Sequence, residues 1–165
     1  MPPVHVIVLQ SRSLGRVAFS FDATGRLLAV KLRSRRRPSV GTPAQAPKAP
    51  KVTELRTWLA DFEAGEAGPF PGSWQLPGQT PFQQAVYRTV AAIPAGEALS
   101  YGEVADAAGS PGAARAVGNA MARNPIPLVV PCHRVLASGG ALGGFTGGLD
   151  LKKSLLHAEG AGVGV

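Results

Sequence analysis

The second half of this chain is punctuated so heavily that it can form only short helices. Thr80-Pro81-Phe82-Gln83 places a threonine at an N-cap, a proline at the first helical position and a glutamine three residues on. Ser100-Tyr101-Gly102-Glu103 is a second capping box, and Ser110-Pro111 repeats the cap-plus-proline start. Asn124-Pro125-Ile126-Pro127 then stops helix growth, because neither proline can donate or tolerate the preceding turn. These signals predict a helix from 81 carrying Phe82, Val86, Val90 and Ile93 on one stripe, a short helix 101–109, and a third running from 111 to about Arg123. Leu128-Val129-Val130 reads as a short strand leading into Pro131-Cys132-His133-Arg134-Val135. A glycine-rich loop over 139–148 follows, and Asp150 is expected to cap a last helix through His157, with Gly160 just beyond it.

The first half reads differently. Residues 4–9, 17–21 and 27–32 are β-prone runs, and Asp22-Ala-Thr-Gly25 is a hairpin turn between the last two. Residues 34–51 are rich in Pro, Ala and basic side chains and read as an exposed loop or linker. Leu55, Trp58, Leu59 and Phe62 at i, i+3, i+4, i+7 define an amphipathic helix, which Gly and Pro in 65–78 terminate. The expected fold is α+β: a small N-terminal β-sheet and helix domain over 1–77, and a mostly helical domain over 78–165 containing a helix-turn-helix.

Charge narrows the partner. The 165 residues carry a formal +7, with a pI near 10.3, which favours an anionic partner such as nucleic acid. The excess lies mainly in residues 1–80, with 11 Lys/Arg against 5 Asp/Glu, notably Arg33, Arg35, Arg36, Arg37, Lys48 and Lys51. That segment is either a solvated basic linker or a phosphate-contacting one. The helix pair 101–109 and 111–123 matches a helix-turn-helix, although all-α cores also contain such pairs. No apolar run approaches the ~20 residues of a membrane span, and no leader pattern opens the chain, so a cytoplasmic protein is expected.

Cys132 is the only cysteine. It cannot staple the chain or build a cysteine-containing zinc cluster, and His5, His133 and His157 lack paired metal spacing, so no metal is expected. A lone cysteine at the end of an apolar run can be a small buried hydrophobe. The Cys-His-Arg run points instead to a nucleophile, because a proton acceptor beside a thiol raises its thiolate fraction. His133 could accept the proton directly or through a water, and Glu159 could orient the imidazole. Arg115, near the start of the second helix of the pair, could contact phosphate or fill the gap of an extruded base, or be merely solvated. Tyr101 could donate a phenolic proton or cover a core edge, and Asn124 could fix a turn with its amide.

Taken together, Pro131-Cys-His-Arg-Val135, Asn124-Pro-Ile-Pro127, Arg115-Ala-Val-Gly118, Ser100-Tyr101, Thr80-Pro-Phe-Gln83, Ile93-Pro-Ala-Gly96 and Leu155-Leu-His-Ala-Glu-Gly160 resemble the O6-alkylguanine-DNA alkyltransferase family. The ordered set covers about residues 78–160, and the first 77 residues resemble the family only in outline. The resemblance implies direct DNA repair, by one irreversible transfer of an alkyl group from O6 of guanine to Cys132, without cofactor. It implies that His133, a bridging water and Glu159 generate the thiolate, and that Tyr101 helps rotate the nucleotide and protonates the leaving guanine. Arg115 would replace the flipped base, Asn124 would be the hinge to the active-site turn, and Lys152 would lie near the reacting centre. Met121, Ala116 and Arg123 would face the DNA. Phe145 and Thr146 would wall the guanine pocket, with the Val135 carbonyl meeting the guanine amine. The implied partner is double-stranded DNA containing O6-alkylguanine, entered through the minor groove and bound by a monomer. Acceptance of O4-alkylthymine is left open. The zinc-binding N-terminal cysteines of some relatives are missing, so the resemblance carries no zinc to this chain. A catalytically silent lesion sensor, a plain helix-turn-helix regulator and a thiol hydrolase are the competing readings. The sensor is disfavoured because its relatives carry Trp where Cys132 stands.

Overall fold

The computed structural model describes residues 5–35, 39–40 and 48–161. The chain divides into two compact units: Met1–Leu76 with Pro125–Pro127, and Pro77–Asn124 with Leu128–Val165. Among the described residues, no helix is long and apolar enough to cross a membrane.

In the first unit, strands β1 (His5–Gln10), β2 (Arg16–Phe21), β3 (Leu27–Lys31) and β4 (Ser39–Val40) form an antiparallel sheet in the order β3-β2-β1-β4. The β2–β3 hairpin turns where the sequence places it. Asp22 Oδ1 accepts from Thr24 N at 2.8 Å and Arg26 N at 3.0 Å, so one carboxylate satisfies the amides of the turn. Helix α1 (Val52–Glu63) buries Leu55, Trp58, Leu59 and Phe62, the four residues its periodicity selects. Trp58 meets Phe62 and Phe70 with ring centroids 5.3 Å away and Phe19 at 6.4 Å, and its indole N–H donates to Gly68 O at 3.0 Å. Each buried aromatic contributes its area to the core and its polar edge finds an acceptor. One expectation fails here: residues 39–40 are not loop but an edge strand paired with Ile7 and Val8. A two-residue strand flanked by Pro and charge carries no alternation to read. Of the basic insert, Arg36 and Arg37 lie outside the described residues.

The second unit holds α2 (Pro81–Ala91), β5 (Leu99–Ser100), α3 (Tyr101–Ala107), α4 (Ala114–Ala122), the 3₁₀ turn Cys132–Arg134, β6 (Val135–Leu136), a further 3₁₀ segment Ser138–Gly140 and α5 (Leu149–Ala158). Both capping boxes form as read. Gln83 N donates to Thr80 Oγ1 at 3.2 Å and Thr80 N to Gln83 Oε1 at 2.9 Å; Ser100 and Glu103 repeat the exchange at 3.1 and 2.7 Å. The buried face of α2 is Val86, Tyr87 and Val90, with Phe82 only half-buried and Ile93 buried past the helix end. Tyr87 is admitted because its hydroxyl donates to Ala120 O at 3.1 Å.

Three boundaries differ from expectation. Ser110-Pro111 does not start a helix: Gly112 sits at φ +80°, outside helical space, and α4 begins at Ala114 with no side-chain cap. The connection between α3 and α4 is therefore residues 108–113. Leu128–Val130 is not a strand, because Leu128 lies at φ +74° and reverses the chain. The parallel ladder is instead β5 with β6, Leu99 opposite Val135 and Ser100 opposite Leu136. Asp150 is not the cap of α5; Gly148 is, at φ +93°, and Asp150 lies in the first turn, where its charge still suits the helix dipole.

Gly25 adopts φ +89°, and a Cβ there would lie 2.1 Å from Ala49 N. Gly25→Ala should therefore lower stability by about 2 kcal/mol, read as a lower urea midpoint with unchanged m.

Candidate functional site

The site is assembled from four segments of the second unit: the start of α3, α4 with the residue Asn124 just past it, the Cys132–Arg134 turn, and α5 with the loop before it. Asn124, just past α4, donates from Nδ2 to Val130 O at 2.8 Å, closing the turn that prolines 125 and 127 leave without amide donors. Cys132 N donates back to Val130 O at 2.8 Å, so the cysteine is presented on a doubly tied main chain. Its residue is 5% exposed. Burial pushes the thiol pKa up, against the lowering effects of an Asn124 hydrogen bond and the Lys152 charge. The sulfur is thus a poor nucleophile unless a neighbour takes its proton.

Next in the chain is His133, fully buried, whose Nε2 lies 2.9 Å from Glu159 Oε1. Burial holds the imidazole below its ordinary pKa, which keeps it neutral and able to accept, despite the pull of Glu159 toward the charged form. Glu159 itself is buried, which would raise its pKa, but hydrogen bonds from His133 and Arg134 outweigh this and bring it to about 2. Arg134 donates to both carboxylate oxygens, Nε to Oε2 at 3.0 Å and Nη2 to Oε1 at 2.7 Å, and through Nη1 to Ile93 O at 2.7 Å. Nothing in the sequence spacing connects Arg134 to a carboxylate 25 residues on, and its role as the partner of Glu159 was not legible there.

Lys152 is fully buried on α5 and donates from Nζ to Val135 O at 2.8 Å, to Gly144 O at 3.2 Å and to Leu142 O. It joins the segment after Cys132 to the glycine-rich loop. Burial lowers its pKa to about 8, opposed by Cys132.

In front of the cysteine lies a cavity of about 340 Å³ lined by Tyr101, Gly118, Met121, Ala122, Cys132, Gly144, Phe145 and Thr146, within the range of small-molecule pockets. Its mouth owes much to glycine. Gly143, at φ +65°, lets the loop pass so close that a Cβ would stand 2.8 Å from the Tyr101 hydroxyl. Burial raises the Tyr101 pKa, and a hydrogen bond from Gly144 partly offsets it. Val135 is buried and does not line the cavity; its carbonyl accepts from Lys152. Arg115, Ala116 and Arg123 are exposed on α4, away from the core residues Val117 and Ala120, and the helix carries no acidic side chain. Gly118 and Ala122, which the sequence reading did not select, line the cavity from the same helix. Among the described residues, no group of three or more His, Cys, Asp or Glu could hold a metal ion.

The exposed side of α4 carries Arg115, with Arg123 at its C-cap, and beside this helix a cavity reaches Cys132, which is followed in the chain by the His133 that Glu159 meets. Residues 81–161 match the family described as 6-O-methylguanine DNA methyltransferase, DNA binding domain. The chain is 47% identical over 113 residues to the methylated-DNA–protein-cysteine methyltransferase of Mycobacterium leprae, covering 68% of each. It is 51% identical over 101 residues to that of Mycobacterium tuberculosis, a match that spans 61% of each chain. The fold superimposes on the crystal structure of Mycobacterium tuberculosis OGT in complex with DNA with a TM-score of 0.77, at 35% identity, over 94% of this chain and 92% of that one. The chain belongs to the methylated-DNA–protein-cysteine methyltransferase family.

The buried array has a pH signature. Glu159 has a folded pKa near 2 against an ordinary 4.5, so its contribution to stability is complete above 4.5 and is lost as pH falls toward 2. His133 is held below 6.5, so acidification below that value protonates the unfolded chain first and also destabilises the fold. The thermal midpoint should fall as pH is lowered from 7 through both ranges. Glu159→Gln should cost about 3–5 kcal/mol at pH 7 and flatten the dependence below pH 4.5 in calorimetry.

Proposed function

We propose that the protein repairs DNA by a single transfer of an alkyl group from O6 of guanine to Cys132. The observation that carries this reading is that Cys132 ends a cavity walled by α4, with the His133–Glu159 pair behind it. Cys132 is recessed at the end of a cavity that a stacked guanine cannot enter, so the nucleotide must swing out, at a cost of a few kcal/mol. Arg115, on the exposed face of α4, fills the vacated stack, and Ala116 and Arg123 lie along the same DNA-facing surface. The flipped base rests against Met121 and between Phe145, Thr146 and Tyr101.

In the reaction the sulfur–carbon bond forms as the carbon–O6 bond breaks. The thiol proton passes through a water to His133, whose charge Glu159 stabilises. The Tyr101 hydroxyl gives a proton to the departing guanine. Asn124 and Lys152 hold the turn and the loop between which this happens, and the Lys152 charge favours the thiolate. The product is a neutral thioether, which the mechanism gives no route to cleave, so each molecule acts once. The transfer requires no cofactor. The substrate places the protein with DNA in the cytoplasm, where it acts as a monomer.

Mixing the protein with a duplex bearing O6-methylguanine should give a stoichiometric gain of one methylene unit, mapped to Cys132, in intact-protein mass spectrometry. Cys132→Ser should show none. Tight binding with no mass change would mark a lesion sensor, and repeated turnover on small esters a hydrolase. Arg115→Ala should slow transfer from duplex about 10–100-fold, the flipping cost no longer being met, and slow transfer from a single strand far less.

A further inference from the structure

Arg134 is not simply a structural ion pair. We infer that it is a positioning residue for the acyl-free, alkyl-accepting thiol: by gripping both oxygens of Glu159 it fixes which nitrogen of His133 can accept the Cys132 proton. The inference rests on the transfer reaction proposed above and deepens it.

A carboxylate buried beside an imidazole can serve it in two ways. Ionised, it only accepts, and the imidazole must present N–H to it; protonated, it donates, and the imidazole must present a lone pair. The Arg134 fork decides between them. Nε and Nη2 take one carboxylate oxygen each, which holds the carboxylate plane and leaves Oε1 directed at His133 Nε2, 2.9 Å away. The guanidinium sets a positive charge and two donors against the carboxylate, so Glu159 stays an anion, as its low pKa reflects. Nε2 must then carry the proton, and the lone pair falls on Nδ1. The third anchor, Nη1 to Ile93 O at 2.7 Å, ties the guanidinium to the chain beyond α2, so the fork cannot swing with its own side chain.

The other charged and titratable groups around His133 do not supply this. Lys152 from α5 and Arg134 both oppose a charge on the ring, and Cys132 is the proton donor to be served. Phe145, whose ring centre lies 6.3 Å from that of His133, is neutral. Glu159 is the group that names the tautomer, and Arg134 is what keeps Glu159 ionised and oriented. A lysine would conserve charge but present no planar fork.

The test uses the whole protein. Long-range ¹⁵N–¹H spectra should show wild-type His133 protonated on Nε2. Arg134→Lys should give mixed tautomers and lower the transfer rate at pH 7 about tenfold, a part of the ~10²–10⁴-fold that a placed base supplies. It should also move the acidic limb of the pH–rate profile, measured on molecules shown to be folded. Arg134→Met should do more. A merely structural arginine would lower the melting temperature and leave tautomer and profile unchanged, and that result overturns the inference. If neither variant folds, the wild-type spectrum decides: a proton on Nδ1 overturns it and one on Nε2 supports it. Absence of any methyl gain on wild-type Cys132 would instead overturn the transfer reading itself, so the two failures are distinguishable.

Discussion

One buried carboxylate organises the second unit. Glu159, with its side chain 1% exposed, receives a histidine and an arginine that neighbour the reactive cysteine in sequence. Removing a carboxylate from water is expensive, and it is tolerated here because charged and neutral donors surround it. The consequence reaches past the residue itself. Glu159 closes the C-terminal end of α5, so the same contact that orients His133 also docks that helix against the 3₁₀ turn. Chemistry and packing share one anchor, and a lesion in it is felt by both.

The thiol illustrates a conflict that this arrangement resolves. Burial shields the sulfur and shapes the cavity, yet it disfavours the thiolate that must react. The structure does not relieve the conflict by exposing the cysteine. It places the buried, neutral imidazole of His133 next in the chain and the Lys152 charge nearby.

Much of the local structure was legible in the sequence because it follows from short-range rules. The α1 face, the β2–β3 turn and the capping boxes at Thr80 and Ser100 are each set by residues three or four apart. The meeting of His133 with Glu159 was legible through chemistry and family likeness. In the second unit, what failed did so where a positive φ overrode composition: Gly112 delayed α4, Leu128 turned a supposed strand, and Gly148 displaced Asp150 as a cap. Arg134 and the pocket residues Gly118 and Ala122 were missed because their partners come from remote segments. No periodicity reports that an arginine will meet a carboxylate 25 positions later.

The attachment of the glycine-rich loop has a consequence for how such a protein can change over time. Lys152 grips the loop through main-chain oxygens alone, those of Leu142 and Gly144. Main-chain oxygens are common to all twenty amino acids. The side chains at 145 and 146 can therefore be exchanged, and the contour of the recess redrawn, while the fastening that holds the wall in place stays indifferent to the alteration.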